Sequence, residues 1–529
     1  MDIPSFESIL YLILFMKFPR PSLILIGFLA SALLAEGQDP KGIRETFFPA
    51  PDTVFTTPAF ATKRDFTNSD RLFDFLNREG SAAQGWQRDT IGFSAKGTPI
   101  VAIQRGGEAV AHPIRVLFLG GIHGDEPAGV EGLLALTQHL GKGGDWEHLS
   151  HNTTLRIVPM VNPDGVDRLN RYAANGRDLN RDQSKLENVE MTALKKDFAQ
   201  YDADVVVDFH EYRPYRADYV DMGDFGVTSP FDVMFMYTGN LNVPEAIRAA
   251  SESLLIEPAR FAMDAHGRRY ANYFRPSVIR GKREFKTGAS SPRSSVTSFG
   301  LASSLAVLME IRGVGLGRKG FERRVQTALL LAKSFLESSS ENPEAIRMAR
   351  REGQRDNSPV VIQAQREKTV AEVTLLDLNQ QALRTFDEEV SDSNNQTATE
   401  TRAFPGGYLL LPSERRAAEV LETLGLNLTA LETPLAAKVQ AYTLVSDRLS
   451  PKPFEGFFER IVRAETRDTT VTLPVGAWWI PANQTRFHLT KELLEPEGIN
   501  GFVRYRVIDP TTDQAFPVYR ILPEDIILP

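Results

Sequence analysis

Ile114-Arg115-Val116-Leu117-Phe118-Leu119 runs directly into Gly120-Gly121-Ile122-His123-Gly124-Asp125-Glu126-Pro127, and then into 130–140, where Leu133, Leu134, Leu136 and Leu140 recur at helical spacing. The first segment reads as a buried strand, the second as a glycine-rich turn and the third as a helix. The same alternation extends outward. Arg71–Leu76 reads as helix, Pro99–Gln104 and Leu155–Val161 as strands, and Glu187–Phe198 as an amphipathic helix. Val205–Phe209 and Ser304–Met309 are short apolar strands, and Glu322–Leu336 is a long helix. Strands apolar on both faces, alternating with helices, predict a mostly parallel α/β sheet.

The 529 residues exceed one ordinary core, so two domains are expected. Residues 1–37 read as a secretory signal, with Met16 as an alternative start. Lys17-Phe18-Pro19-Arg20 forms the basic region, Leu23–Leu34 the apolar stretch, and Ala35-Glu36-Gly37 the small-residue end. The corresponding expectation is export, to a bacterial periplasm or outside the cell, with no stable membrane insertion after signal removal. Residues 38–62 read as an extended lead-in, 63–340 as the catalytic domain, 341–360 as a linker and 361–529 as a smaller β-rich C-terminal domain. Within the last part, Thr369–Leu375, Thr469–Leu473 and Phe502–Val507 read as strands, Ser391–Glu400 as a polar loop and Glu414–Leu424 as a helix.

A formal charge of −8 without clustered basic residues argues against a nucleic-acid partner. The absence of cysteine excludes thiol nucleophiles, disulfides and Cys-based metal sites. With eight histidines, a metal site must be built from His, Asp and Glu.

In open α/β sheets ligands gather at the carboxyl ends of strands. Two imidazoles and one carboxylate stand there: His123 and Glu126 in an H-x-x-E turn after one strand, and His210 after another. Such a trio makes a three-ligand zinc set with an open fourth position. The alternatives are a hydrogen-bonded turn residue for His123 and a core histidine beside Asp208 for His210. His148 and His151 form a competing pair in a polar loop that reads as surface. Asn162-Pro163-Asp164-Gly165, Arg171 and Asn175-Gly176-Arg177-Asp178-Leu179-Asn180-Arg181-Asp182 concentrate amide and guanidinium donors. These suit carboxylates and developing oxyanions, and equally a solvated turn.

These ordered motifs, from about Arg71 to Leu336, resemble the zinc carboxypeptidase family, of which carboxypeptidase A is the namesake. The resemblance implies an α/β/α sandwich with a mixed eight-stranded sheet, and one Zn²⁺ per chain on His123, Glu126 and His210. It implies that Asp178 orients the first zinc histidine and that Asn180 and Arg181 hold the substrate's terminal carboxylate. Arg171, with Arg168 as the fallback, matches the arginine that steadies the scissile carbonyl. A glutamate closing a late apolar strand should be the general base. Glu310 fits, because burial raises a carboxylate's proton affinity toward neutrality. Glu211 is the rival, and a salt bridge from Glu310 to Arg312 is the structural alternative. The family's substrate-capping tyrosine has no counterpart in Ser290–Phe299, and Tyr270 and Tyr273 lie further back.

The expected activity is removal of C-terminal residues from peptides with a free carboxylate. Two alternatives stand beside it. One is cell-wall peptide cleavage or amino-acid deacylation on the same fold. The other is a non-catalytic peptide- or glycan-binding protein.

Overall fold

The computed structural model describes residues 40–525 except 63, 108–109, 225, 280–281, 455, 500 and 511–515. The signal expected at 1–37 lies outside the described residues. Among those described, no helix is long and apolar enough to cross a membrane.

An eight-stranded mixed sheet forms the centre. Its strands are β1 (Gln87–Phe93), β2 (Pro99–Gly106), β3 (Ile114–Leu119), β4 (Thr153–Val158), β5 (Val205–Tyr212), β7 (Val233–Met236), β8 (Tyr270–Asn272) and β11 (Leu305–Arg312). They lie in the order β1-β2-β4-β3-β5-β11-β7-β8. The middle four, β4-β3-β5-β11, are parallel, and β1, β2 and β7 run antiparallel to a neighbour. All eight residues of β5 are buried, as a central strand covered on both faces requires. Gly129 of the helix Pro127–Leu140 packs on Phe209, and the helix Phe321–Glu341 packs behind it at Gly132. On the opposite face, Ser295 of the helix Ser295–Leu301 reaches Asp208, and the helix Val189–Tyr201 joins it through Phe198 against Phe299. These two helical layers complete the sandwich.

Glycine 124 illustrates why the metal turn is glycine-rich. A Cβ there would lie 2.0 Å from the carbonyl carbon of Gly165, so the turn and the Asn162–Gly165 turn touch backbone to backbone. Gly124→Ala is expected to destabilise the fold by about 1–3 kcal/mol through overpacking. It should also weaken metal binding, because His123 is the neighbouring residue. Thermal unfolding with and without zinc checks both effects.

Two further sheets flank the first. One has the order β6-β12-β13-β10-β9, built from β6 (Val227–Thr228), β9 (Phe274–Ile279), β10 (Lys282–Thr287), β12 (Val360–Asp377) and β13 (Ala382–Arg402). The other has the order β15-β18-β14-β19-β16-β17, built from β14 (Gly407–Leu410), β15 (Thr429–Ala430), β16 (Leu435–Leu449), β17 (Arg460–Leu473), β18 (Trp478–Pro481) and β19 (Val518–Ile521). The first of these mixes strands from both halves of the chain: β13, after residue 361, pairs in parallel with β10, before it.

Several expectations are corrected here. Residues 391–400, read as a loop, belong to β13, whose alternating exposure fits a strand with one solvated face. Their polar composition reflects that face. Residues 502–507, read as a strand, form turns. The lead-in 38–62 is not extended throughout: the helix Lys41–Phe47 buries Ile43 and Phe47 against Leu376. The linker 341–360 holds the helix Pro343–Gln354, which buries Ile346 and Ala349 in the main core.

Candidate metal centre and active site

Local geometry builds the site. His123 and Glu126 flank the turn between β3 and the helix Pro127–Leu140. Proline is suited to the first helical turn, where its missing N–H costs nothing. His210 lies within β5, which runs two residues past it, and Glu310 lies at the matching register position of β11. Parallel pairing therefore sets the second histidine beside the glutamate.

Ligand atoms of His123, Glu126 and His210 converge within 4.8 Å of one another, all three residues buried. One Glu126 oxygen lies 2.8 Å from His123 Nδ1 and the other 2.8 Å from His210 Nδ1. The two Nδ1 atoms are 3.0 Å apart. Each ring's other nitrogen is held by a carboxylate: His123 Nε2 by Asp178 at 3.0 Å and His210 Nε2 by Asp208 at 2.8 Å. Neutral rings that donate Nε2–H to those carboxylates turn both Nδ1 lone pairs toward a single point. Two lone pairs and a carboxylate facing one another are repulsive without a cation between them. The donor set thus fits zinc, with the carboxylates fixing each tautomer.

Burial opposes charge on His210, but Asp208 and Glu126 more than reverse this and hold it well above its usual value. His123 is raised in the same way by Glu126 and Asp178. The bare cluster therefore retains protons that zinc must displace. Zinc affinity is expected to fall as pH drops, and binding should release protons, measurable by calorimetry in buffers of different ionisation enthalpy.

In the sequence Asp208 is only the neighbour of a candidate core histidine. The structure makes it the orienting partner of His210, and Ser295 donates to it at 2.5 Å. A signal was present: Asp208 and His210 are two apart on a strand and so share a face. Asp178→Asn or Asp208→Asn is expected to weaken zinc binding about 10–100-fold, as read by chelator competition.

A cavity of about 710 Å³ opens above the cluster, lined by His123, Arg171, Asp178, Asn180, Arg181 and Glu310 among others. Arg171 is anchored by Nε and Nη2 on Asp178, at 3.2 and 2.9 Å. Its Nη1 points to Glu126, at 3.3 Å. Arg181 donates to the Asn180 carbonyl at 2.7 Å, and Ser295 N–H donates to the Asn180 side chain at 2.8 Å. The fallback Arg168 is exposed and donates to the Asp164 carbonyl. His148 and His151 are exposed and outside the cluster.

Burial and Glu126 together raise Glu310 to about 7. Arg312 lies over the rings of Phe48 and Tyr215, 4.2 and 5.2 Å from their centroids. Burial also raises Glu211 to about 7, against the pull of Arg324, so proton affinity does not separate the two candidates. Geometry does. Glu211 Oε1 accepts from Arg324 Nε and Nη2 at 2.8 and 2.5 Å, which commits it to a buried ion pair. Tyr273 lines the cavity, and its phenol is raised by burial and by the Glu310 charge. Tyr270 is bound to Asp264 instead.

Residues 82–213 match the family model described as zinc carboxypeptidase. The chain is 29 % identical over 428 residues to carboxypeptidase 2 of Trichophyton tonsurans, spanning 78 % of this chain and 77 % of that protein. It is 27 % identical over 519 residues to carboxypeptidase 2 of Trichophyton rubrum, spanning 92 % and 95 %. Among solved structures, a metallo-carboxypeptidase from Burkholderia cenocepacia aligns at TM-score 0.39 and 17 % identity, over 50 % of this chain and 68 % of that one.

Over residues 82–213 the chain is thus similar to the zinc carboxypeptidase family, and over most of its length to proteins named carboxypeptidase 2. With its buried His–Glu–His set, it is a zinc metallocarboxypeptidase, a hydrolase. The relatives matched over most of their length are fungal, and the bacterial source expected from the sequence finds no support.

Proposed function

We propose that the enzyme removes single residues from the C-terminus of peptides, with Glu310 as general base. When bound, zinc supplies the Lewis acid that polarises the scissile carbonyl and activates a water. Glu310 takes the proton from the attacking water and delivers it to the leaving amine. Arg171, held by Asp178, sets Nη1 beside the ligand atoms, 3.2 Å from His123 Nδ1 and 3.3 Å from Glu126, and turns its charge to the oxyanion that develops there. Asn180 and Arg181 grip the terminal carboxylate, which makes the enzyme an exopeptidase. Tyr273 supplies the hydroxyl that Ser290–Phe299 lacks. The observation that carries this reading is the placement of Glu310 and Arg181 in the lining of one cavity that reaches His123 of the ligand cluster.

The test compares free-carboxylate peptides with the same peptides amidated at the C-terminus. Cleavage of the free form alone is expected, and equal cleavage of both would overturn the assignment. No observation favours cell-wall cleavage or deacylation over this reading. We also propose export, on the basic, apolar and small-residue order of 16–37. N-terminal sequencing of protein recovered from the medium checks it, a start near residue 38 being the expected result.

A further inference from the structure

Besides the catalytic residues, the cavity lining carries a charge pattern that peptide hydrolysis does not require. Arg275 of β9 and Lys286 of β10 stand directly opposite each other in antiparallel register, and both line the cavity. Like charges so placed destabilise a sheet. Arg366 of β12 joins them and donates to Ser290 Oγ at 3.2 Å. Burial and the nearby Arg275 together hold its guanidinium below the usual value.

Among the described residues, Arg275, Lys286 and Arg366 make no ion pair with a carboxylate. The acidic groups that pull on Arg366 are occupied elsewhere: Glu284 by Lys368 at 3.1 Å and Asp392 by Thr287 at 2.5 Å. Of the acidic groups on the catalytic side, Asp178 and Glu211 are committed to Arg171 and Arg324, while Asp125 and Glu310 also line the cavity. Three mutually repelling cations thus face a partly enclosed space in a chain of net charge −8. Such a wall focuses potential on an anion within the cleft.

We infer that this wall selects peptides carrying acidic side chains beside the scissile bond. The inference rests on the carboxypeptidase reading above and names its substrate class. It also gives the C-terminal half of the chain a role. Arg366 comes from the β12–β13 hairpin, and Phe454, between β16 and β17, lines the same cavity. The later sheets therefore complete the substrate-binding wall.

The experiment uses the zinc-loaded full chain and N-blocked peptides whose last residue is Glu, Leu or Lys. A second series varies the residue before the last, which shows on which side of the bond the acidic group is read. In at least one series the Glu peptide is expected to exceed its Lys counterpart in kcat/KM by about tenfold or more. That ratio should shrink as salt rises from about 0.01 to about 1 M, which shortens the screening length from about 30 to about 3 Å. Arg275→Glu should shift the Glu/Lys ratio toward Lys, and Arg366→Gln should lower it without reversing it.

Cleavage in which Lys or Leu peptides equal or exceed Glu in both series overturns the acidic preference and leaves the carboxypeptidase reading intact. A ratio unmoved by both variants overturns the role of the wall. Failure to cleave any free-carboxylate peptide, Leu included, overturns the carboxypeptidase reading and the preference with it.

Discussion

Glu310→Gln should leave the chain folded and zinc-loaded while lowering kcat by about 10²–10⁴-fold, the usual contribution of a positioned general base. The amide keeps the size of the side chain but cannot accept the water's proton. KM should change little, because the proposed grip on the terminal carboxylate by Asn180 and Arg181 is left intact. The pH profile gives a second readout. Burial and Glu126 put Glu310 at about 7 in the bare site, above the ordinary glutamate value of 4.5. A base must be deprotonated to act, so kcat/KM should rise with pH through this group. A bound cation favours the carboxylate and moves the limb down from 7 toward the ordinary value. The limb should vanish in Glu310→Gln. A variant with full activity and bound zinc would leave Glu211 as the base, despite its ion pair with Arg324.

Removal of zinc should have the other large effect. A chelator is expected to bring peptide hydrolysis to background, and stoichiometric zinc, one ion per chain, to restore it. His210→Ala should match the chelated state, whereas His148→Ala should behave as the unchanged enzyme. The stability change should be large as well. Binding to the folded state alone adds about 4 kcal/mol when free zinc is a thousandfold above Kd. Without the ion, the two Nδ1 atoms 3.0 Å apart must be relieved by protonation. The chelated protein should therefore melt at lower temperature, with the loss depending on pH. An unchanged Tm and unchanged activity after verified metal removal would sink the metal assignment.

Much of the central sheet was legible in the chain. The strands Ile114–Leu119 and Pro99–Gly106, and the helices around 130–140 and 322–336, show strong apolar periodicity, and burial enforces it. The β-rich remainder was legible only in part. In β13 one face is solvated and the residues are mostly polar, so the strand carries little hydrophobic signal of its own. Its pairing with β12 and β10 is a non-local matter. At 502–507 the opposite error arose. Phe502, Val503 and Tyr505 are buried, but they are buried in turns, and composition alone does not separate these from a strand.

Sequence by itself determined the donor types of the metal site, because the H-x-x-E turn, a strand-end histidine and the absence of cysteine leave few other chemistries. It also determined the α/β alternation, since periodicity is a local property of the chain. Only tertiary structure decided which carboxylate does what. Parallel register set Glu310 beside His210, a buried arginine from a distant helix claimed Glu211, and the buried Asp208 was turned onto His210. Tertiary structure alone also brought Arg275, Lys286 and Arg366 to one wall. The physical reason is range: helix and strand signals act over a few residues, whereas electrostatics and hydrogen bonding act across whatever surfaces the fold presses together.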